Sequence, residues 1–124
     1  MATILLIGTL DTKGIEFAFV RDLIVERGHQ AFVIDAGIAA APYFSPDISA
    51  KTVAEAGGTT LAALREAQDR GAAISAMSAG AAKLTAQLYA DGHIDGILGL
   101  GGSGGTSIAS AAMQALPQNS PPAI

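Results

Sequence analysis

Thr3 to Ile7 form a hydrophobic run that stops at Gly8, and unbroken rather than alternating hydrophobicity marks a strand covered on both faces. From Lys13 to about Arg27, Ile15, Phe19, Val20, Leu23 and Ile24 recur at helical spacing, with Glu16, Asp22, Glu26 and Arg27 on the other side. Gly28 supplies the stop, and a second buried run, Ala31 to Ile34, closes at Asp35 and Gly37. Strand, helix and strand in this order predict a right-handed βαβ unit.

Residues 36–58 read as a loop anchored by Tyr43 and Phe44 between Pro42 and Pro46, then a short helix capped by Asp47 and running through Glu55. Thr59 or Thr60 can cap the next helix, which carries Leu61, Leu64 and Ala67 and ends near Arg70 and Gly71. Ala72 to Ala90 predict a longer helix through Ile74, Met77, Ala81, Leu84 and Leu88, with small residues that permit close packing. Ile94 to Leu100 are a third strand, and the segment 101–107 leads into a last helix, Ile108 to Leu116. The alternation predicts an α/β fold, a Rossmann-like open parallel sheet with helices on both faces. Three strands make a narrow sheet. Residues 1–124 are therefore expected to be the N-terminal half of a larger two-subdomain protein, truncated at the C-terminus.

Composition narrows the chemistry. Half of the 124 residues are apolar and 15% charged, which excludes a disordered tail. No apolar run reaches the roughly 18 to 20 residues of a membrane span. A net charge of -4 with scattered Lys and Arg argues against direct nucleic-acid binding. The absence of cysteine excludes thiolate chemistry, and two isolated histidines, His29 and His93, read as surface residues. The N-terminus has no secretory pattern, so a cytoplasmic location is expected.

The first candidate site is Gly99 to Ser107, GLGGSGGTS, between a strand and a helix. Glycines there let main-chain N–H groups approach a phosphate, and the helix N-terminus favours an anion. Gly102, Ser103, Gly104, Gly105 and Thr106 are the candidate contacts, with tight helix-to-strand packing as the competing reading. The spacing lacks both the Walker Lys and the acidic residue of a dinucleotide fingerprint. The second candidate is GTLDTKG, residues 8–14, at the carboxyl end of the first strand, where it can face the same crevice. Thr9 and Thr12 offer hydroxyls and Lys13 a phosphate counter-charge, while Asp11 could accept from a ribose or adenine or hold magnesium through water. Helix capping by Asp11 or Thr12, with Lys13 solvated, is the alternative. Asp35 reads either as a ribose contact or as a strand-ending turn residue, and Arg70 as a solvated helix-end residue that reaches a phosphate only if that end faces the crevice. No residue is nominated as nucleophile or general base.

GTLDTKG followed by GLGGSGGTS…ALP, with PDIS at residues 46–49, resembles the family of the tomato mosaic virus resistance protein, in its N-terminal ATP-binding half. The resemblance covers residues 3–117. It implies a Rossmann-like domain in which Asp11, Thr12, Lys13, Arg70 and Gly102 to Gly105 line a site for ATP, with Mg2+ as an accompanying ion. It also implies a further strand and a second α/β subdomain beyond ALP, and a homodimer. The viral partner of the plant protein is not carried over. Two functions are expected to compete: a nucleotide-binding module that couples ATP to protein association, and an ATP-dependent ligase, kinase or hydrolase whose catalytic groups lie on a second half. A sugar-phosphate or dinucleotide binder is a third.

Overall fold

The computed structural model describes residues 2–100 and 103–116, and of 103–106 the backbone alone. The elements follow the order β1 (Thr3–Gly8), α1 (Leu10–Glu26), β2 (Gln30–Asp35), α2 (Ala50–Ala56), α3 (Leu61–Ala67), α4 (Arg70–Ala90), β3 (Gly96–Gly99) and α5 (Ser103–Gln114). The fold is α/β: a three-stranded parallel sheet in the order β2-β1-β3, flanked by helices. Gly8 is level with Asp35 and Ile7 with Gly99, so all three strands end together on one rim.

Alternation along the strands sends their side chains to two cores. Leu5, Ile7, Ile34 and Ile97 pack on one side against buried residues of α2 to α5, including Val53, Met77, Ala81 and Ile108. Leu6 and Val33 pack on the other side against Leu10 and Phe17 of α1. Chain direction reverses between these layers, because β1 crosses to β2 through α1 and β2 returns past β1 to β3 through the opposite helices. The rim between β1 and β3 is the switch point at which open α/β sheets bind ligands.

Five local expectations are corrected. The buried residues of α1 are Leu10, Gly14 and Phe17; of the expected stripe, Val20 and Ile24 pack against the same core, while Ile15, Phe19 and Leu23 face outward. The helix starts three residues before Lys13, because the Asp35 carboxylate accepts the Leu10 N–H at 3.1 Å and supplies from another strand the partner that a local cap would give. Asp47 caps no helix. Its carboxylate accepts the Val33 N–H at 2.7 Å and its own N–H donates to the Val33 carbonyl, which covers the outer edge of β2, while Ser49 caps α2 through the Thr52 N–H. The third strand is trimmed to Gly96–Gly99, and α5 begins at Ser103, five residues before the expected start. Burial of Ile108, Ala109 and Ala112 against the α4 layer favours that helix despite two glycines near its beginning.

Elsewhere the periodicity holds. Met77 and Ala81 are buried, and Ile74, Leu84 and Leu88 pack against the same core. Gly80 lies where a Cβ would run into the Val53 carbonyl, so its missing side chain lets α4 approach α2 backbone to backbone. Thr60 caps α3 through the Ala63 N–H at 3.1 Å.

Candidate functional site at the carboxyl rim

A crevice of about 570 Å³ opens at the carboxyl rim of the sheet. Thr9, Asp11, Thr12 and Lys13 enter it from the β1–α1 junction, Gly37 to Ala39 from the segment after β2, Asp69 and Arg70 from the start of α4, and Ile108 from α5. Its volume falls within the range of small-molecule pockets, about 300–1,000 Å³.

The β1–α1 junction is built from long-range hydrogen bonds. Asp35 is buried at the end of β2, and one of its oxygens accepts both the Leu10 N–H and the Gly37 N–H, at 3.1 and 2.8 Å. Burial pushes its carboxyl above the ordinary carboxylate value and the nearby Asp11 charge adds to the rise, while the two N–H donors pull the other way. Asp35 is thereby committed to holding two loops together. Asp11 ties down the next stretch: its Oδ2 accepts from the Ala39 and Ala40 N–H groups at 3.0 and 3.2 Å. Its Oδ1 is buried with no hydrogen-bond partner among the described residues, beside Gly37, where a Cβ would collide with it. An orphaned carboxylate oxygen at a pocket wall calls for a donor from whatever fills the space.

Thr9 occupies the N-cap position of α1, and its hydroxyl lies 2.6 Å from that of Thr12. Neither Asp11 nor Thr12 caps the helix, contrary to the bland reading of this motif. Lys13 sits at a non-helical kink after the first turn and lines the crevice, 3.8 Å from Glu16 in a half-exposed pair.

Arg70 moves the most. It is the first residue of α4 and not the end of the preceding helix, because Gln68 adopts a left-handed conformation that stops α3, and Asp69 caps α4 through the Ala72 N–H. Arg70 therefore stands at a positive helix end, on the crevice, with no ion pair among the described residues. The structure brings together Asp11, Thr12, Lys13 and Arg70. Gly102 lies outside the described residues, while Ser103, Gly104, Gly105 and Thr106 form the first turns of α5.

Sequence reasoning missed two parts of the site. Arg65 reaches across from α3 and donates through Nε to the Ile38 carbonyl, bracing from the opposite side the segment that Asp11 holds. Leu64, Ala73, Ile74 and Met77 give the crevice an apolar wall. Helical spacing marked Leu64, Ile74 and Met77 as core; only the gap between α3, α4 and the sheet shows that part of this core lines a pocket.

Comparison with known proteins decides the lineage. Residues 2–124 match the family described as "Uncharacterised protein family (UPF0261) N-terminal domain". The chain belongs to the UPF0261 family. It is similar to a UPF0261 protein of Clostridium tetani, 46% identical over 91% of this chain and 28% of that relative, and to one of Brucella suis biovar 1, 40% identical over 95% of this chain and 28% of that relative. A third, from Rhizobium meliloti, is 38% identical over 98% of this chain and 29% of its own length. The chain thus spans under a third of the length of these relatives.

This membership replaces the resemblance to the tomato mosaic virus resistance protein family, since the motifs that carried it lie within the UPF0261 match. Glycine-rich strand ends report a backbone requirement, close approach and a helix N-terminus, that unrelated lineages meet alike.

Proposed function

We propose that this UPF0261 domain is a nucleotide-binding module that takes ATP in the crevice at the carboxyl rim. The observation that carries the proposal is the division of the crevice: an apolar wall of Leu64, Ile74 and Met77, suited to a base, shares one space with Lys13 and Arg70, suited to phosphates. The acidic residues nearby are already engaged, Asp11 through Oδ2, Asp35 through two N–H groups and Asp69 as a cap, so Arg70 has no carboxylate partner among the described residues and Lys13 has only its half-exposed pair with Glu16. The proposed contacts are Asp11, Thr12, Lys13 and Arg70, with Gly102 to Thr106 at the start of α5. The unpartnered Asp11 Oδ1 suits a ribose hydroxyl or a water bound to Mg2+.

The binding module is preferred to an ATP-dependent enzyme because both carboxylates that line the crevice, Asp11 and Asp69, already accept backbone N–H groups that fix them in place. In this reading nucleotide braces the 37–40 segment and tunes association within a cytoplasmic homodimer. For the described residues, no helix is long and apolar enough to cross a membrane.

Thermal shift with ATP, ADP, AMP and NAD, with and without magnesium, tests the proposal. Saturation at 100 times the dissociation constant adds about 2.7 kcal/mol of stability. ATP is expected to stabilise the protein, and Lys13→Ala or Arg70→Ala to weaken that effect about tenfold or more in affinity, as loss of a charged hydrogen-bonding partner does. Stabilisation unaltered in both variants would move the nucleotide elsewhere. Light scattering with and without ATP tests the coupling to association.

A further inference from the structure

Charge is unevenly shared between the crevice and the rest of the chain. The protein carries seven Lys and Arg against eleven Asp and Glu, yet three of the seven, Lys13, Arg65 and Arg70, line the crevice, against two of the eleven, Asp11 and Asp69. Both carboxylates accept backbone N–H groups, Asp11 from Ala39 and Ala40 and Asp69 from Ala72. A recess with an excess of one sign focuses the field, so this one draws anions to a protein that is acidic as a whole.

Arg65 is the cation among the three that the backbone itself anchors. Its Nε donates to the Ile38 carbonyl, next to the Ala39 N–H that Asp11 holds. Bracing one carbonyl uses one of the five N–H donors of a guanidinium. The others have no carboxylate partner among the described residues. A cation in the last turn of α3 also suits the negative end of that helix, but this needs charge alone and leaves those N–H groups open. Arg70 follows across the left-handed turn at Gln68, so two guanidinium groups enter the crevice from the α3–α4 side while Lys13 enters from the β1–α1 junction.

We propose that Arg65 is a further phosphate-binding residue of the crevice and that, with Arg70 and Lys13, it selects a polyphosphate chain over a monophosphate. A guanidinium already held at Nε offers its Nη groups to phosphate oxygens with little further ordering. A single phosphate carries too little charge and too few oxygens to satisfy three cations on three elements, whereas a chain of phosphates matches them in both. The inference rests on the phosphate side of the nucleotide reading.

Isothermal titration of the full-length protein with ATP, ADP, AMP and inorganic tripolyphosphate, at fixed ionic strength, tests it in the wild type, Arg65→Ala and Arg65→Lys. ATP is expected to bind more tightly than AMP, and Arg65→Ala to reduce that preference about tenfold or more, as loss of a charged hydrogen-bonding partner does. Arg65→Lys, which keeps the charge, should retain more of the preference than Arg65→Ala. If Arg65→Ala weakens ATP and AMP by one common factor, Arg65 only braces Ile38 and the proposal is overturned, while the nucleotide reading stands. Equal affinity of the wild type for ATP and AMP overturns it in the same way. Tripolyphosphate binding that Arg65→Ala abolishes, with no nucleotide bound, would support the role of Arg65 and remove the nucleotide instead. Binding of neither would overturn both.

Discussion

The two faces of the sheet are closed in different ways. On the α4 side, small residues set the distances: Gly80 lets α4 meet the α2 backbone, Gly99 lets β3 meet Ala109, and the core is assembled from many modest side chains. On the α1 side a single helix does the work through two large residues, Leu10 and Phe17, and the Phe17 ring fills the space a Cβ on Gly8 would need. The first face tolerates little added volume, and the second little removed volume. The rim where the faces meet is held by Asp35 and Asp11, whose carboxylates join the ends of β1 and β2.

The sharpest way to break this contrast is within α1. Phe17→Ala is expected to cost about 3–5 kcal/mol in urea unfolding, whereas Phe19→Ala two residues later should stay within about 0.5 kcal/mol in this chain. Equal effects would mean that both helix faces are packed. On the α4 side, Gly80→Ala should destabilise by about 1–3 kcal/mol although it adds a single methyl to a helix and alanine has the better helix propensity. A stabilising result would show that α2 yields freely. At the rim, Asp35→Ala strands the N–H groups of Leu10 and Gly37 and should cost about 1–3 kcal/mol.

The smallest effect is the pH dependence of the same residue. Burial raises the Asp35 carboxyl above 3.8, so the folded state holds its proton more tightly than the unfolded chain. The contribution is fully present below pH 3.8 and is lost as pH rises through the raised value. Asp35→Asn, which keeps an acceptor without the charge, should remove this slope. Urea midpoints of the two proteins, measured across the acid range, should separate in favour of the variant as pH rises and then run parallel.

The three strands, the existence of every helix and the Gly28 stop were legible, because continuous apolar runs and helical spacing are local properties of the chain. The face of α1 was not. That helix carries apolar residues nearly all round, and Ile15-Phe19-Leu23 makes as good a stripe as Leu10-Gly14-Phe17; the sheet beneath and the kink at Lys13 choose between them. The β1–α1 loop was placed at the carboxyl rim correctly, since it follows a parallel strand that ends level with β2; of the glycine-rich segment, residues 101 and 102 lie outside the described residues. The turn role of Asp35 was legible, since its Gly37 partner lies two residues on, but its hold on Leu10 was hidden because that partner lies 25 residues away, and the role of Arg65 because its partner is a carbonyl 27 residues distant.

Local patterning was enough to set the α/β order, the parallel sheet and the rim at which its loops gather, since each depends on hydrophobic period and on strand direction alone. Tertiary contacts decided where α1, α4 and α5 begin, which side of α1 is buried, and that Lys13 and Arg70 face one crevice. Those outcomes depend on hydrogen-bond partners and packing surfaces brought from distant parts of the chain, which no window of neighbouring residues contains.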